Sequence, residues 1–544
     1  MSRTRTGWIP TAKFDFDEYP EHIEVDDSEA SLSWDTCQRV KARITTDGVP
    51  GSVNQEITNE VAAWQREWAC HEESEPVPPI VWPENMGAPP ARVDIEQLRQ
   101  ALMSFPSQLG LGWDKIHPRA IARLDDTILE AIVRLMERCE ETGQWPQEGS
   151  LVIIVLLPKP TGGWRPIGLL AWLPKVWMKI RRTEAAKWEK ENERAYMYAG
   201  PTKGADVAAW KQAARAEVAE ACHGAAYAQV LLDLVKAFDR VPHHVLVREA
   251  AALGYSLWIL RLSLATYASD RLIRVDGVVS GTFKAKRGIT AGSGLATAEM
   301  RVVMTRIVDN ASRIAPRVVP TLFVDDLSVE AAGGNKFVED EIVRFTMMVC
   351  EAIEEDGMEI SRTKSACTAS CNKLGKNIVE LLNKFGIKYR MRVISLGAAL
   401  AAGTRRNASN LAGRMRQFRK RIVRFRKLRR AKVDTSRLMR TGAVKSITYG
   451  QAVTGVSNST LLAQRRAVAA ATAPSAGNRG QCTDMALILA DGGAKGKADP
   501  AFDAHAMPIG QWAHAVWHKW LEPAALEKIA TRANRTVRML QPKK

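Results

Sequence analysis

Short apolar runs separated by polar and glycine-rich stretches predict a mixture of strands and helices. Residues 151–157 are all apolar and stop at Pro158, which predicts a buried strand. One apolar stripe at helical spacing predicts a helix over residues 119–139, formed by Ile121, Leu124, Ile128, Ile132 and Leu135. The chain therefore combines both kinds of element from the start.

Three further short apolar runs end at or enclose aspartates. Gln229–Leu232 predicts a strand that carries Asp233 at its end. Thr321–Val324 and Leu327–Val329 predict two strands of a β-hairpin around Asp325 and Asp326. Helical patterns lie between these strands, so the sequence predicts an α+β fold.

The first 91 residues differ in composition from the rest. Residues 11–35 are rich in acidic side chains without a clear period, and residues 76–90 carry six prolines, which forbid regular helix. We expect residues 1–91 to be partly flexible and the ordered part to begin near residue 92.

Composition and charge restrict the partners. The chain has 544 residues, 46% of them apolar, and a net charge of +17, which indicates a polyanionic partner such as nucleic acid. No apolar run approaches the roughly 18 residues of a membrane span, and no apolar block follows the first arginines. Eight scattered cysteines fit a reducing compartment. These patterns predict a nuclear or cytoplasmic protein, neither secreted nor bound to a membrane.

The aspartates point to phosphoryl chemistry. Nucleotide transfer to a 3′-hydroxyl is assisted by two cations roughly 3.5–4 Å apart, which clustered carboxylates can hold. Any one of these aspartates alone is more often an ordinary turn residue. Asp325 and Asp326, however, place two like charges between apolar strands, a pair that repels unless a cation compensates it.

Five segments in order resemble the motifs of non-LTR retrotransposon reverse transcriptases. They are Gly112-Trp113-Asp114-Lys115-Ile116 at the entry to the fingers, Leu157-Pro158-Lys159-Pro160 through Trp164-Arg165-Pro166-Ile167 in the fingers, Val230 to Asp239 as the first palm motif, Leu322-Phe323-Val324-Asp325-Asp326 as the third, and Gly357-Met358-Glu359-Ile360 with Lys364 as the fourth. The resemblance covers about residues 100 to 460.

The resemblance implies an RNA-directed DNA polymerase with the right-hand fold. Fingers and palm would occupy residues 92–385, a basic helical thumb residues 386–460, and an extension of unknown role residues 461–544. The implied partners are an RNA template, a DNA primer and dNTPs. The implied cofactor is a pair of Mg²⁺ ions, with Mn²⁺ as an alternative.

The resemblance also assigns roles at the metal site. Asp233 and Asp325 match metal ligands, Asp326 completes the carboxylate cluster, and the Leu234 carbonyl is a further metal contact. Lys364 matches the lysine that protonates the leaving pyrophosphate, a task that suits a positioned ammonium. A plain surface lysine is an equally good interpretation of Lys364 from the sequence.

Other positions would handle the nucleotide. Lys159 and Arg165 are predicted to bind the triphosphate, where cations offset growing charge. Phe238 matches the bulky ring that blocks a ribose 2′-hydroxyl. The second palm motif departs from the family, because Ala291 stands where a glutamine is expected, followed by Gly292. Small residues there still let a nucleotide or template approach the backbone closely.

A strongly basic segment follows the palm. Thirteen Lys or Arg residues and no acidic one lie between Arg405 and Lys432. Met415, Phe418, Ile422 and Phe425 recur at helical spacing, which predicts one packed face and other faces turned to phosphates. The predicted nucleic-acid contacts are Arg414, Arg416, Arg419, Lys420, Arg421, Arg424, Arg426 and Lys427. Ser395-Leu396-Gly397 just before it resembles the turn that supports the primer.

Two alternatives stay open at this point. The chain could be a catalytically degraded, nucleic-acid-binding remnant of the same fold, which Ala291 keeps in view. It could also resemble a group II intron maturase, although residues 460–544 show no recognisable maturase domain. No endonuclease is recognisable before residue 92, so target cleavage would need a separate endonuclease or another protein encoded by the element. In the C-terminal extension, Trp512, Trp517 and Trp520 predict a helix that packs its tryptophans.

Overall fold

The fold begins earlier in the chain than the sequence suggested. The computed structural model describes residues 53–70, 76–159, 162–200, 203–222, 224–403, 409–472 and 482–540. The first helix, α1 (Val53–Glu67), lies before the proline-rich stretch, and Trp64 and Trp68 are buried in the main core. The expectation that order begins near residue 92 is therefore wrong, because an apolar face at helical spacing was overlooked. The acidic segment 11–35 lies outside the described residues.

The helix predicted over residues 119–139 is broken in the structure. α2 (Ile95–Met103) is followed by the short α3 (Pro118–Ile121) and by α4 (Asp126–Thr142). The Asp125 side chain accepts a hydrogen bond from the Ile128 amide and starts α4 afresh. The predicted stripe is only partly confirmed: Ile121, Leu124 and Ile132 are partly buried against the core, whereas Ile128 is 44% exposed. The fully buried positions of α4 include Leu129 and Val133 instead.

The strands form two five-stranded sheets and one small hairpin. The described strands are β1 (Leu151–Pro158), β2 (Trp164–Leu169), β3 (Ala226–Leu232), β4 (Asp270–Val275), β5 (Val278–Val279), β6 (Phe283–Lys284), β7 (Val319–Phe323), β8 (Asp326–Gly333), β9 (Ala366–Ala369), β10 (Lys388–Tyr389), β11 (Val393–Ser395) and β12 (Ala398–Leu400). In the first sheet, β1 lies antiparallel to β2 and parallel to β4, and β4 also pairs with β5 and β6. The second sheet has the order β10-β9-β3-β8-β7.

Helices cover these sheets and continue to the C-terminus. They are α5 (Trp172–Glu191), α6 (Ala205–Ala221), α7 (Ala237–Arg240), α8 (His243–Leu253), α9 (Leu257–Tyr267), α10 (Ala296–Ile314), α11 (Asn335–Glu355), α12 (Asn372–Leu381), α13 (Ser409–Arg430), α14 (Ser436–Leu438), α15 (Val444–Thr448), α16 (Gln451–Thr454), α17 (Asn458–Thr472), α18 (Thr483–Asp491), α19 (Pro500–Trp517) and α20 (Pro523–Leu540). The predicted α+β composition is confirmed. Among the described residues, no helix is long and apolar enough to cross a bilayer.

The second sheet carries the predicted strands. The strand predicted over Gln229–Leu232 is confirmed as part of β3, and β7 and β8 confirm the hairpin. The hairpin turn consists of Val324 and Asp325, one residue earlier than predicted, because Phe323 pairs with Asp326. β3 is buried almost throughout, since α11 packs on one face, α6 packs on the other, and β8 and β9 flank its edges.

The basic helix α13 buries the face that its spacing predicted. Met415, Phe418 and Ile422 are buried against α15 and α17, and Phe425 is partly buried beside them. In the C-terminal extension, Trp512 and Trp520 pack edge-on against Trp210 of α6, with ring centroids 6.2 and 5.4 Å apart. Trp517 is 83% exposed, so the prediction that it packs is wrong. It lies at the end of α19 on the opposite side of the helix.

Candidate active site

The three predicted carboxylates lie at one end of the second sheet. In the antiparallel β3–β8 pair, Leu232 lies opposite Leu327, so Asp233 leaves β3 beside the point where Asp326 enters β8. Asp325 lies in the hairpin turn, after Val324 with a φ of 62°. A positive φ is rare for a β-branched residue, and such strain is common at functional turns. Strand register thus brings distant aspartates together.

The carboxylates repel one another. Burial, Asp325 and Asp233 raise the pKa of Asp326 to about 6. Burial also raises the pKa of Asp325, with Asp233 adding to the rise and Lys364 and Arg165 opposing it. The carboxylates therefore place more negative charge at this end of the sheet than the neighbouring cations of the protein compensate.

Lys364 is the cation closest to this cluster. Its Nζ lies 3.0 Å from Asp233 Oδ1, although the lysine side chain is 69% exposed. The backbone holds the two segments together, because the Ser361 amide donates to the Asp233 carbonyl at 2.7 Å and the Ser365 hydroxyl accepts from the Asp233 amide at 3.1 Å. Lys364 thus belongs to the site and is not an isolated surface lysine.

Leu234 is buried directly after Asp233. It pairs with Ile360 in an antiparallel bridge, and the Val235 amide donates to the Glu359 carbonyl at 2.9 Å. The first and fourth motif segments therefore pack side by side, which fixes the backbone around Asp233.

The donor chemistry of the cluster fits Mg²⁺. The groups are hard carboxylate oxygens whose mutual repulsion a divalent cation would relieve. The carboxylates do not already surround a common point: among the residues that the structure describes, no three acidic, histidine or cysteine side chains are close enough to hold a metal ion together. Side-chain rotation, with release of Lys364 from Asp233, would have to accompany binding.

The fingers cations lie at the tip of the β1–β2 hairpin. Arg165 pairs with Leu157 across the hairpin, and the Lys159 amide donates to the Gly163 carbonyl at 2.9 Å. The exposed Arg165 is close enough to the aspartates to lower the pKa of Asp325. Residues 160 and 161 at the tip lie outside the described part of the chain.

Phe238 and the loop of the second palm motif touch through their backbones. The Ile289 amide donates to the Phe238 carbonyl at 2.7 Å, and Phe238 is partly buried against the core. The Ala291 carbonyl accepts a hydrogen bond of 2.5 Å from Gly168 in β2. A side chain on Gly292, whose φ is 119°, would lie 2.3 Å from the Gly168 carbonyl oxygen, so this approach requires glycine.

Two arginines of the site were missed in the sequence. Arg390 and Arg392 line a cavity of about 350 Å³ together with Asp233, Asp326 and Lys364. Arg390 also donates to the Thr363 carbonyl at 3.0 Å, next to Lys364. The only signal was their position shortly before the Ser395-Leu396-Gly397 turn. That turn is present between β11 and β12, with φ of 47° at Leu396 and 77° at Gly397.

The basic helix presents most of its predicted contacts to solvent. Six of the eight predicted residues are exposed: Arg416, Arg419, Lys420, Arg421, Arg424 and Arg426. Lys427 is partly buried. Arg414 differs, because its guanidinium donates to the carbonyls of Tyr449 and Gly397 and stacks 4.9 Å from the Tyr449 ring centroid. Arg414 therefore fastens α13 to the β11–β12 turn.

Asp239 is tied to α1. Its Oδ1 accepts a 3.0 Å hydrogen bond from the Trp68 indole. Burial raises the pKa of Asp239, and this hydrogen bond and the charge of Arg271 oppose the rise. This contact links Asp239 to a residue 171 positions earlier in the chain.

Comparison with known proteins follows the same geometry. A family model described as reverse transcriptase (RNA-dependent DNA polymerase) matches residues 157–380. No curated protein matches the chain. Among solved structures, apo telomerase from Candida tropicalis truncated from the C-terminal domain is similar at 12% identity and a TM-score of 0.36, over 54% of this chain. This chain spans 62% of the length of that structure.

The matched segment contains the end of β1, all of β2, the aspartate cluster and Lys364. Its mixed sheets and helices have the layout of a right-hand polymerase, with β3, β7 and β8 as the palm strands. RNA-directed DNA polymerases of this kind are nucleotidyltransferases. Residues 157–380 are a reverse transcriptase domain.

Proposed function

We propose that the chain is the reverse transcriptase of a non-LTR retrotransposon. It would copy an RNA template by adding dNTPs to a DNA primer. Asp233, Asp325 and Asp326, with the Leu234 carbonyl, would hold two Mg²⁺ ions, and Mn²⁺ would be an alternative. The order of the motif segments supports the non-LTR assignment, and the reverse transcriptase domain supports the reaction class.

One observation carries the catalytic part of this proposal. Strand register brings Asp233 and Asp326 to the same sheet end, with Asp325 in the adjoining turn. The pKa of Asp326 is raised to about 6 by burial and by its two acidic neighbours, so the cluster favours a cation. When bound, a pair of divalent ions would stabilise the attacking and leaving oxygens.

The cations of the chain would handle the triphosphate. Lys364 would leave Asp233 and protonate the departing pyrophosphate, since its ammonium is already within 3.0 Å of the cluster. Lys159 and Arg165 would hold the phosphates from the fingers hairpin, and the effect of Arg165 on Asp325 supports its proximity. Phe238 would exclude a ribose 2′-hydroxyl, next to the loop of Ala291.

The exposed arginines of α13 would bind the template–primer duplex. The duplex backbone releases counterions when cations replace them, so each lost contact lowers the salt dependence of binding. Arg421→Gln should weaken binding of a primed RNA template and reduce the slope of log affinity against log salt by about 1. Arg414→Gln is the contrasting variant, because it should loosen the β11–β12 turn without that change in slope.

A degraded remnant remains the second candidate, because Ala291 lacks an amide side chain. The structure weakens this reading without removing it. The Ala291 contact with Gly168 is made by the backbone carbonyl, so the loop can take its place without glutamine.

The decisive measurement is Mg²⁺-dependent dNTP incorporation on a primed RNA template. The parent should extend the primer, and an Asp325→Ala, Asp326→Ala double variant should not. Asp340→Asn, at a partly exposed aspartate paired with Lys336 on α11, is the matched control and should extend normally. A parent that binds RNA in a salt-sensitive way but never extends would favour the remnant and make Ala291→Gln the next variant.

A further inference from the structure

The C-terminal end of α1 contacts the loops around the nucleotide positions. The Glu67 carboxylate accepts from Arg240 Nε at 2.8 Å and lies 3.0 Å from Lys236 Nζ. Its backbone carbonyl accepts from Arg287 Nε at 2.7 Å. Burial opposes ionisation of Glu67, yet hydrogen bonds from Arg240 and Lys236 hold its pKa below the ordinary value. Glu67 therefore contacts three cations from two segments, residues 236–240 and residues 286–290.

Trp68, the residue directly after Glu67, contacts the same two segments through a chain of buried polar groups. Its indole donates to Asp239, and its ring centroid lies 4.5 Å from the guanidinium carbon of the buried Arg271. Arg271 Nη2 donates to Thr290 Oγ1 at 3.0 Å. The Trp68 carbonyl also accepts from the Lys286 amide at 3.0 Å.

These contacts enclose the two positions that would meet the nucleotide sugar and base. Segment 236–240 contains Phe238, and segment 286–290 leads directly into Ala291. The segments touch each other where the Ile289 amide donates to the Phe238 carbonyl. Arg240 further contacts Glu359, whose carbonyl accepts a hydrogen bond from the Val235 amide just after Asp233. α1 itself lies outside the matched reverse transcriptase segment.

We propose that the end of α1 and the turn after it position the nucleotide site, with Glu67 as the principal positioning residue and Trp68 as the second. The proposal rests on the proposed polymerase function and extends it to dNTP selection. Glu67 neutralises Lys236 and Arg240 and thereby keeps the Phe238 loop in place against the Ile289 loop. A small shift of Phe238 would admit a 2′-hydroxyl, so selection of dNTPs over rNTPs depends on this clamp.

Two substitutions test the clamp with little change of shape. Glu67→Gln keeps the size and removes the charge, so Lys236 loses this ion pair and Arg240 keeps the one with Glu359. Trp68→Phe keeps an aromatic ring on Arg271 and removes the donor to Asp239. Glu137→Gln on α4, which breaks a 3.0 Å ion pair with Arg92, is the matched control for loss of a carboxylate.

The primary readout is steady-state incorporation of dNTPs and rNTPs on a primed RNA template. Glu67→Gln should raise the KM for dNTP on the order of tenfold, with kcat changed by less than about threefold, and should lower the preference for dNTP by a similar factor. Trp68→Phe should move both quantities in the same direction by a smaller factor. Glu137→Gln should leave them unchanged.

Hydrogen–deuterium exchange supplies a readout that needs no polymerase activity. Glu67→Gln should speed exchange in segments 236–240 and 286–290 while α4 and α13 keep the parent rates. Unchanged exchange in those segments overturns the proposal, whether or not the parent extends primers. Unchanged KM and sugar preference in an active, folded variant also overturn it, as does a loss of thermal stability with both kinetic values intact. An inactive parent would instead count against the proposed function alone.

Discussion

One strand of the palm, β8, carries two acidic sites that the fold treats in opposite ways. Glu330 in its middle is buried, receives hydrogen bonds from Arg215 and accepts a 2.5 Å hydrogen bond from the Tyr227 hydroxyl. Asp326 at its start faces Asp325 and Asp233. Burial raises the pKa of both carboxyls, but neighbours lower it at Glu330 and raise it further at Asp326.

The difference separates a structural charge from a functional one. A buried ion is tolerated when its partners come from the same chain, as Arg215 does from α6. Among the described residues no cation forms an ion pair with Asp326, although Lys364 lowers its pKa, so a bound cation would complete the charge compensation. This is what a site for divalent cations and a triphosphate requires.

The largest effect on activity is expected at Asp326, at the start of β8. Asp326→Asn should lower primer extension at least about 10²-fold, because it removes a proposed metal ligand and not merely a contact. In EDTA the variant should be no less stable than the parent at pH 8. The folded pKa of Asp326, about 6, lies above the ordinary value, so ionisation costs stability as pH rises through 6.

Thermal unfolding with and without Mg²⁺ checks this prediction. Mg²⁺ should raise the melting temperature of the parent more than that of Asp326→Asn, since a cation that binds only the folded state stabilises it. Equal gains in parent and variant would remove the metal role from Asp326. Asp340→Asn should behave as the parent does.

A substitution in the buried Arg215–Glu330 pair should change the stability of the protein and not its polymerase activity. Arg215→Met leaves Glu330 buried without its cation, and removal of one partner of a buried pair costs about 3–5 kcal/mol. Urea unfolding should show that loss in the free energy of unfolding. Incorporation per folded molecule should change little, because Arg215 lies in α6, away from the sheet end. A variant as stable as the parent would show that Glu330 is neutral in the folded protein.

The sequence predicted the aspartate cluster better than the buried Arg215–Glu330 pair. Asp233, Asp325 and Asp326 were recognisable because a turn chemistry and a short motif recur at fixed local spacing. Arg215 and Glu330 are 115 positions apart, and their pairing depends on how α6 packs on β8, which no local pattern encodes. Arg390 and Arg392 were missed for the same reason.

The helices show a similar limit. The apolar face of α13 was predicted because a single period runs through it without interruption. The helix at 119–139 was wrong, since the Asp125 cap restarts the helix and shifts the buried face to Leu129 and Val133. α1 was overlooked because the proline-rich stretch that follows it suggested a boundary at residue 92, while its packing partners lie far along the chain.

A third carboxylate offers an intermediate case. Glu299 of α10 is fully buried, and its hydrogen-bond donor is the Tyr267 hydroxyl. Burial raises its pKa to about 7, with Tyr267 and Ser263 opposing the rise. Because the folded pKa lies above the unfolded value of 4.5, its stabilising contribution is complete below pH 4.5 and is lost as pH rises through about 7.

Glu299→Gln should therefore flatten the pH dependence of stability. At pH 8 the variant should be more stable than the parent by up to about 3 kcal/mol, and near pH 4.5 the two should be similar. Urea unfolding at pH 5, 6.5 and 8 measures the difference. A difference that stays constant across this range would show that Glu299 does not titrate in the folded protein.

The smallest effect is expected when Glu330 keeps its cation, Arg215, and loses only the hydroxyl of Tyr227. Tyr227→Phe removes the donor to Glu330 and leaves Arg215 in place, so the free energy of unfolding should fall by about 1.5–3 kcal/mol at neutral pH. Without the Tyr227 hydroxyl, the pKa of Glu330 in the variant should rise further. The loss of stability should shrink at acidic pH, because the protonated carboxyl needs the donor less. Tyr389→Phe, which removes a 2.8 Å hydrogen bond to Asn372 at the surface, is the matched control and should cost under about 1 kcal/mol. If both variants lost the same small amount, the hydroxyl of Tyr227 would not help to stabilise the buried charge, and Arg215 alone would separate Glu330 from the uncompensated aspartates of the same strand.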